Sequence, residues 1–292
     1  MAYLCSSLSL ACAVFAETNS IVFCGPKVGT DDVSQSLAIV IPCHNEREGL
    51  AQLIEKLDEV LTPLAFDFNC EVLLIDDGST DDTISRMHAL VDDDSRYRVL
   101  QSPTCRGIGA ALRLALSQTS AEVVVNADAD CTYDPRTIPQ LLALLADADL
   151  VTGSPYHPDG RVLNVPGWRL ALSRGLSMLY RWTSPVQVHT YTSMFRAYRR
   201  EVLEAVRWDS DGFLSVTEIL IGAGRSGYRV VEFPTSLDVR RFGQSKIRIF
   251  QVMRDHLRFL IRQTFRHNAH DTGSGAGLTP SLQQTHPKRK VP

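Results

Sequence analysis

Three short polar stretches in this chain hold residue types that could do chemistry: Asp128-Ala129-Asp130, the run Asp76 to Asp82 (DDGSTDD), and Pro42-Cys43-His44-Asn45-Glu46. Two carboxylates at i and i+2 behind a buried run can reach one divalent ion, and hard oxygen ligands suit Mg²⁺ or Mn²⁺. Such an ion can bridge the two phosphates of a nucleotide diphosphate and stabilise charge on a leaving group. Taken alone, the D-x-D pattern is weak, because acidic pairs after strands often cap helices or sit in solvated turns. In the second stretch Asp77 can accept hydrogen bonds from a nucleoside and Gly78 permits a tight turn. Ser79 or Thr80 can cap the helix that follows, and Asp81 and Asp82 suit its positive end. In the third stretch Pro42 ends strand pairing; locally, Asn45 reads as a helix cap with Glu48, three residues on, as its capping-box partner.

The elements around these stretches must place them. From Leu37 onward, short apolar runs alternate with segments of helical period: LAIVI (37–41), EVLLI (71–75), RVL (98–100), EVVVN (122–126) and DLVTG (149–153). Between them the pattern predicts helices at 47–61, 81–91, 107–118 and 136–146. This alternation predicts an α/β fold, a mainly parallel Rossmann-like sheet with helices on both faces. In such sheets ligands bind beyond the carboxyl ends of the strands, where all three polar stretches fall. After residue 153 the rhythm loosens, with helices expected at 168–182 and near 215–226, a strand at 229–233, and an amphipathic helix reaching about Arg266.

Length and composition set outer bounds. The chain has 292 residues, with 30 basic and 33 acidic residues and a formal net charge of −3, so bulk charge gives no argument for a nucleic-acid partner. The seven cysteines are odd in number and form no C-x-x-C. They read as reduced, buried thiols of a cytoplasmic protein. Residues 1–35 read as a flexible extension: Ala2–Ala16 is apolar, yet no Lys or Arg precedes it and it is too short to span a bilayer. No window predicts a transmembrane helix. Residues 36–266 read as one domain and 267–292 as a disordered tail.

Across about four-fifths of its length the chain resembles the family 2 inverting glycosyltransferases of GT-A fold, most closely their dolichol- and polyprenol-phosphate mannosyltransferase branch. The residues that carry the resemblance are VIPCHNERE, LLIDDGSTDDT, RGIGAAL, NADADCTYDP, VTGSPY, GWRLALSRG, TSMFRAYRREVL, EIL with GYRVVEFP, and RRFGQSK. The resemblance implies transfer of a sugar, mannose from GDP-mannose in that branch, to a polyprenyl phosphate. It implies that Pro42, His44 and Glu46 line the base and ribose pocket with Ile75 and Asp77. Asp128, the Ala129 backbone and Asp130 would hold the diphosphate and its metal, Mg²⁺ or Mn²⁺. Arg240 and Lys246, from the R-x-x-G-x-S-K motif, would neutralise phosphate, and Arg200 would be a basic nucleotide contact. The chain departs from the branch at Pro155, where an arginine is usual, at Thr132 in place of a glutamine, and at Thr190–Phe195.

A lipid phosphate arrives already nucleophilic at neutral pH, its second pKa being near ~6 as for phosphorylated side chains. A hydroxyl acceptor, on a small molecule or glycan, would need a base, for which Glu218, Asp209 and Asp211 are candidates. A nucleotide-sugar-binding subunit without catalysis is the rival from another class. A nucleotidyltransferase would want a glycine-rich basic loop after the first strand, and PCHNERE is not one. The helix over 245–266 carries an apolar stripe of Phe250, Met253, Leu257, Leu260 and Ile261, with arginines at 254, 258, 262 and 266. That pattern suits an anionic membrane surface, giving a peripheral location, and equally a helix docked on the domain. His189, His256, His267 and His270 read as surface or packing residues.

Overall fold

The computed structural model describes residues 34–238 and 249–271. Its elements, in chain order, are β1 (Gln35–Cys43), α1 (Leu50–Leu64), β2 (Phe68–Asp77), α2 (Thr83–Val91), β3 (Tyr97–Ser102), α3 (Ile108–Gln118), β4 (Val123–Asn126), α4 (Ile138–Leu145) and β5 (Leu150–Ser154). There follow β6 (Arg161–Val162), α5 (Gly167–Thr183), β7 (Arg196–Arg199), α6 (Arg200–Ala205), α7 (Leu214–Arg225), β8 (Val230–Pro234), β9 (Ser236–Leu237) and α8 (Ile249–Asp271).

Seven strands form one sheet in the order β3-β2-β1-β4-β7-β5-β8. Every neighbouring pair is parallel except those made by β7, which runs antiparallel to β4 and β5. The chain leaves β1 toward β2 and β3, then returns to place β4 on the other side of β1. That reversal opens a crevice at the carboxyl ends of β1 and β4. Each of the apolar runs read as a strand is one, because a strand covered on both faces needs continuous Val, Ile and Leu.

Two apolar layers sandwich the sheet. Leu53, Leu57 and Leu61 of α1, with Leu141 and Leu145 of α4, cover the face presented by Ile39, Ile41 and Val125. Leu112 and Ala115 of α3, with Ile219 and Leu220 of α7, cover the face of Val40, Leu73 and Val124. Burial of this kind contributes roughly 25 cal/mol per Å² of apolar surface removed from water. Glycine lets α3 approach α7 and the loop before it: a Cβ at Gly109 would lie 2.6 Å from Ser215 Cβ and 2.4 Å from the Ser210 carbonyl oxygen.

The C-terminal helix docks on the domain by only part of the stripe its sequence suggests, Leu260 and Met253 packing on the core. His256, Leu260 and Gln263 are buried, whereas Phe250, Leu257 and Ile261 are exposed. The tie to α5 is polar: Tyr180 Oη and His256 Nδ1 lie 2.8 Å apart inside the core. Burial holds the His256 pKa down to about 4 from its ordinary 6.5, with Asp255 opposing. Below pH 6.5 the unfolded chain therefore takes up a proton that the folded chain refuses, so this contribution is complete above pH 6.5 and falls away as pH drops toward 4. In urea titrations between pH 7 and 4.5, the wild type should lose roughly 1–3 kcal/mol more stability than His256→Leu. Equal losses would show that this histidine does not gate the packing of α8.

Candidate active site

The three polar stretches meet at the carboxyl edge because β1 pairs with both β2 and β4. Cys43 stands opposite Asp76, and Asn126 opposite Val40. Asp77 is almost wholly buried. Its carboxylate accepts the backbone N–H of Arg106 at 2.9 Å and of Gly107 at 2.6 Å, and the Cys105 thiol lies 3.5 Å away. His44 Nδ1 donates to the Asp77 carbonyl at 3.0 Å. Asp76, also buried, accepts from the Ser79 amide. Gly78 has φ +65°, and a Cβ there would fall 2.5 Å from the Cys105 nitrogen, so no other residue allows this close crossing.

The first turn departs from its local reading. Asn45 does not cap α1; it sits at φ +54°, and its Oδ1 accepts the N–H groups of Thr80 at 2.7 Å and Asp81 at 3.3 Å. Its own N–H donates to Ser79 Oγ, and the Glu46 N–H donates to Thr83 Oγ1. The helix starts later, at Leu50, behind Gly49, with no side-chain cap. Asn45 therefore stitches the first and second turns together, an Asn tolerating the left-handed conformation better than most residues. Ser79 and Thr80 are likewise drawn to Asn45 rather than capping α2, and Asp81 accepts from the Thr83 N–H at 3.0 Å.

Asp128 and Asp130 are half-buried on either side of buried Ala129, in the turn after β4. Asp130 accepts the Thr132 N–H at 3.0 Å. The neighbouring thiols register the negative field. Cys43 is pushed well above its ordinary value by burial first, then by Glu46, Asp76 and Asp130. Cys131 is pushed up to about 11, again mainly by burial; Asp130, Asp134 and Asp128 add to this while Lys56 opposes it. Among the described residues no group of three or more His, Cys, Asp and Glu side chains could enclose a metal. Two carboxylates alone fit Mg²⁺ or Mn²⁺, ions commonly bound through one or two carboxylates with substrate phosphates completing the shell.

Of the expected site residues, His44, Glu46, Asp77, Asp128, Ala129 and Asp130 come together at this edge. Pro42 and Ile75 pair across β1 and β2 just inside it, with Ile75 fully buried in the core. Arg200 is not brought there. The reversed direction of β7 carries it to the opposite edge, where it donates to the carbonyls of Thr119 and Leu116 and pairs with Glu204 at 2.6 Å. Arg240 and Lys246 lie outside the described residues.

Several further residues shape the site. Arg196 is fully buried in β7 and donates to Thr152 Oγ1, the Tyr191 carbonyl and the Val216 carbonyl, fastening the segment before β7 to β5 and α7. Burial lowers its pKa. In that segment Thr190 meets Ser154 at 2.8 Å, and Glu232 accepts from the backbone of His189 at 2.6 Å and from its ring at 2.7 Å. Tyr133 stacks on Phe195 with ring centroids 5.5 Å apart. The Arg174 guanidinium lies 5.3 Å from the Tyr156 ring centroid, just past β5. Asp211 forms ion pairs with both Arg106 and Arg113. It is committed to holding the 209–213 loop against the Asp77 turn. That loop, Glu218 and the arginines Arg258 and Arg262 line a cavity of about 480 Å³. The buried arginine has no local sequence signature; the Asp211 pairing needs contacts more than 90 residues apart.

The cysteine expectation holds only in part. The four described cysteines are free, but Cys43 alone is buried and Cys105 is exposed. No helix among the described residues is long and apolar enough to cross a membrane.

Residues 38–207 match the model of glycosyl transferase family 2. The chain is 33% identical over 232 residues to a dolichol-phosphate mannosyltransferase of Pyrococcus furiosus, covering 77% of this chain and 63% of that one. It is 34% identical over 223 residues to a polyprenol monophosphomannose synthase of Mycolicibacterium smegmatis, covering 73% and 82%. The chain thus spans a little under two thirds of the length of the Pyrococcus relative. Among solved structures, glucosyl-3-phosphoglycerate synthase from Mycobacterium tuberculosis, in complex with Mn²⁺, UDP and glucosyl-3-phosphoglycerate, superposes with a TM-score of 0.59. The identity is 23%, over 78% of this chain and 80% of that one. The expected GT-A fold is the one found.

Two measurements check the edge itself. Asp77→Ala leaves two part-buried N–H groups without their acceptor and should cost about 1–3 kcal/mol in urea unfolding. Alkylation of Cys105, read by mass spectrometry, should slow several-fold when GDP or UDP is added with Mn²⁺. Because burial and Asp77 raise its thiol pKa, the labelling rate should still be climbing above pH 9. A rate indifferent to every nucleotide would remove this turn from the binding site.

Proposed function

The chain belongs to glycosyl transferase family 2, and we propose that it transfers a sugar, mannose from GDP-mannose, to a polyprenyl phosphate with inversion at the anomeric carbon. The observation that carries this reading is the convergence of His44, Glu46, Asp77, Asp128 and Asp130 at one sheet edge, in a chain whose relatives act on polyprenol and dolichol phosphates. The 42–46 and 76–78 turns would take the base and ribose. Asp77 serves mainly by holding those turns, since its oxygens already accept two amide protons, although a carboxylate has further lone pairs to offer.

Asp128 and Asp130 would hold Mg²⁺ or Mn²⁺, which supplies charge stabilisation for the departing diphosphate. Arg240 and Lys246 are assigned, on the resemblance alone, to neutralising phosphate. A lipid phosphate is largely ionised at neutral pH and attacks without a general base. This agrees with the condition of the candidate bases. Asp211 is spent on two arginines, Asp209 is exposed beside Arg207, and Glu218 accepts the Ser210 N–H at 3.0 Å. Transfer to a hydroxyl is the second reading; it rests on Glu218 lining the 480 Å³ cavity.

The test is a panel of nucleotide-sugars with Mn²⁺ or Mg²⁺, with and without a short polyprenyl phosphate, for wild type and Asp130→Ala. Lipid-dependent transfer from GDP-mannose that drops by roughly 10³-fold in the variant supports the proposal. Turnover without the lipid points to a hydroxyl acceptor. A folded protein that binds nucleotide yet turns over no donor is a non-catalytic subunit.

A further inference from the structure

We propose that His157 and His189 form a second metal site, built from residues other than the aspartate pair, that takes a borderline-soft divalent ion such as Zn²⁺. The inference does not depend on the transfer reaction. His157 lies in the turn after β5 and His189 in the segment before β7, and their rings meet edge-on with centroids 5.4 Å apart. A Zn–N bond of about 2.0–2.1 Å puts two imidazole centres on one tetrahedral ion roughly 5 Å apart. Imidazole nitrogens suit zinc, whereas Mg²⁺ prefers carboxylate, phosphate and water oxygens. The histidine pair and the aspartate pair would therefore select different ions.

Each ring has a carboxylate behind it. A histidine that binds metal through one nitrogen usually donates the other N–H to a carboxylate or carbonyl, which fixes the tautomer and makes the ligand more basic. His189 is already in that state: its Nδ1 donates to Glu232 Oε2 at 2.7 Å, which leaves the lone pair on Nε2. The Glu232 side chain is only 10% exposed, and it is held in turn by the backbone N–H groups of His189 at 2.6 Å and Thr190 at 3.3 Å. His157 Nδ1 accepts the Asp159 N–H at 3.2 Å and lies 3.5 Å from Asp159 Oδ2. Binding through His157 Nε2 moves the ring proton from Nε2 to Nδ1, where that carboxylate can accept it. Neither Nε2 has a hydrogen-bond partner among the described residues. Two rings packed for apolar contact alone would need no such carboxylates, and together the two carboxylates balance the charge of a divalent ion. With two protein ligands the ion keeps positions for water or an anionic oxygen, as open zinc sites do. It would tie the turn after β5 to the segment before β7, where Thr190 already meets Ser154 and Tyr156.

The full chain, without an affinity tag and stripped of metal by a chelator, would be titrated with Zn²⁺ in excess Mg²⁺ and no nucleotide. Calorimetry reads the affinity, and long-range ¹H–¹⁵N spectra of the imidazoles read which ring nitrogens take the ion. One equivalent of Zn²⁺ should shift the Nε2 resonances of His157 and His189 together. His157→Gln and His189→Gln should each weaken this binding at least roughly tenfold, and Glu232→Gln by about 10–100-fold. Asp130→Ala should bind Zn²⁺ as wild type does, which separates the site from the aspartate pair whether or not any sugar is transferred. The proposal is overturned if the two resonances stay still or only one moves, or if both histidine variants bind as tightly as wild type. Loss of Zn²⁺ binding in Asp130→Ala with the histidines intact would also overturn it, by placing the ion on the aspartates.

Discussion

The Asp77 carboxylate sits at the end of β2 with the amide protons of Arg106 and Gly107 on its oxygens, while its carbonyl holds His44. A buried carboxylate is costly unless it is well bonded, and backbone N–H groups repay that cost without adding a countercharge. The geometry of the edge follows from these bonds. With the 105–107 turn drawn in, Gly107 lies so near Gly212 that a Cβ would come within 2.9 Å of its Cα. Asp211 can then reach Arg106 and Arg113. The loops over the crevice thus form one bonded set, and the crevice is largely shaped before any ligand arrives.

Electrostatically the edge is divided. The β1, β2 and β4 ends contribute Glu46, Asp76, Asp77, Asp128 and Asp130, a concentration of negative charge that a divalent cation relieves. Across the opening, past β5, stand Tyr156 and Arg174 with the wholly basic helix α5. A cation with a diphosphate suits the first side and an anion the second. The buried guanidinium of Arg196 lies behind both, bonded to the backbone of the 190–195 segment and α7 rather than to a carboxylate.

Much of this was legible in the chain. Strands covered on both faces must be continuous apolar runs, so β1, β2 and β4 and the polar turns after them stood out. Asn45 did not, because its role depends on the N–H groups of residues 80 and 81, thirty-five positions away, and the capping-box pattern gives no sign of them. Arg200 was misplaced for a topological reason: four residues of strand within TSMFRAYRREVL show no alternation, and the antiparallel sense of β7 decides which edge its flanks reach. The C-terminal helix reads as amphipathic from either side; only packing shows that His256 and Gln263 face inward while Phe250 does not.

The strand β7 has a consequence for how the molecule is assembled. Its four residues form the whole seam between two parallel blocks of sheet, β3-β2-β1-β4 on one side and β5-β8 on the other. Residues 196–199 must slot between strands made about fifty to seventy positions earlier, and β8 closes on β5 after a gap of about eighty. Loop closures of that length delay pairing, so the exposed edge of β4 must wait unpaired for its neighbour. During synthesis, a nascent chain stopped short of residue 199 would hold a half-sheet ending in VVVN, a sticky strand bordering an incomplete crevice. The joining of the two blocks and the removal of that aggregation hazard therefore coincide in the same four residues.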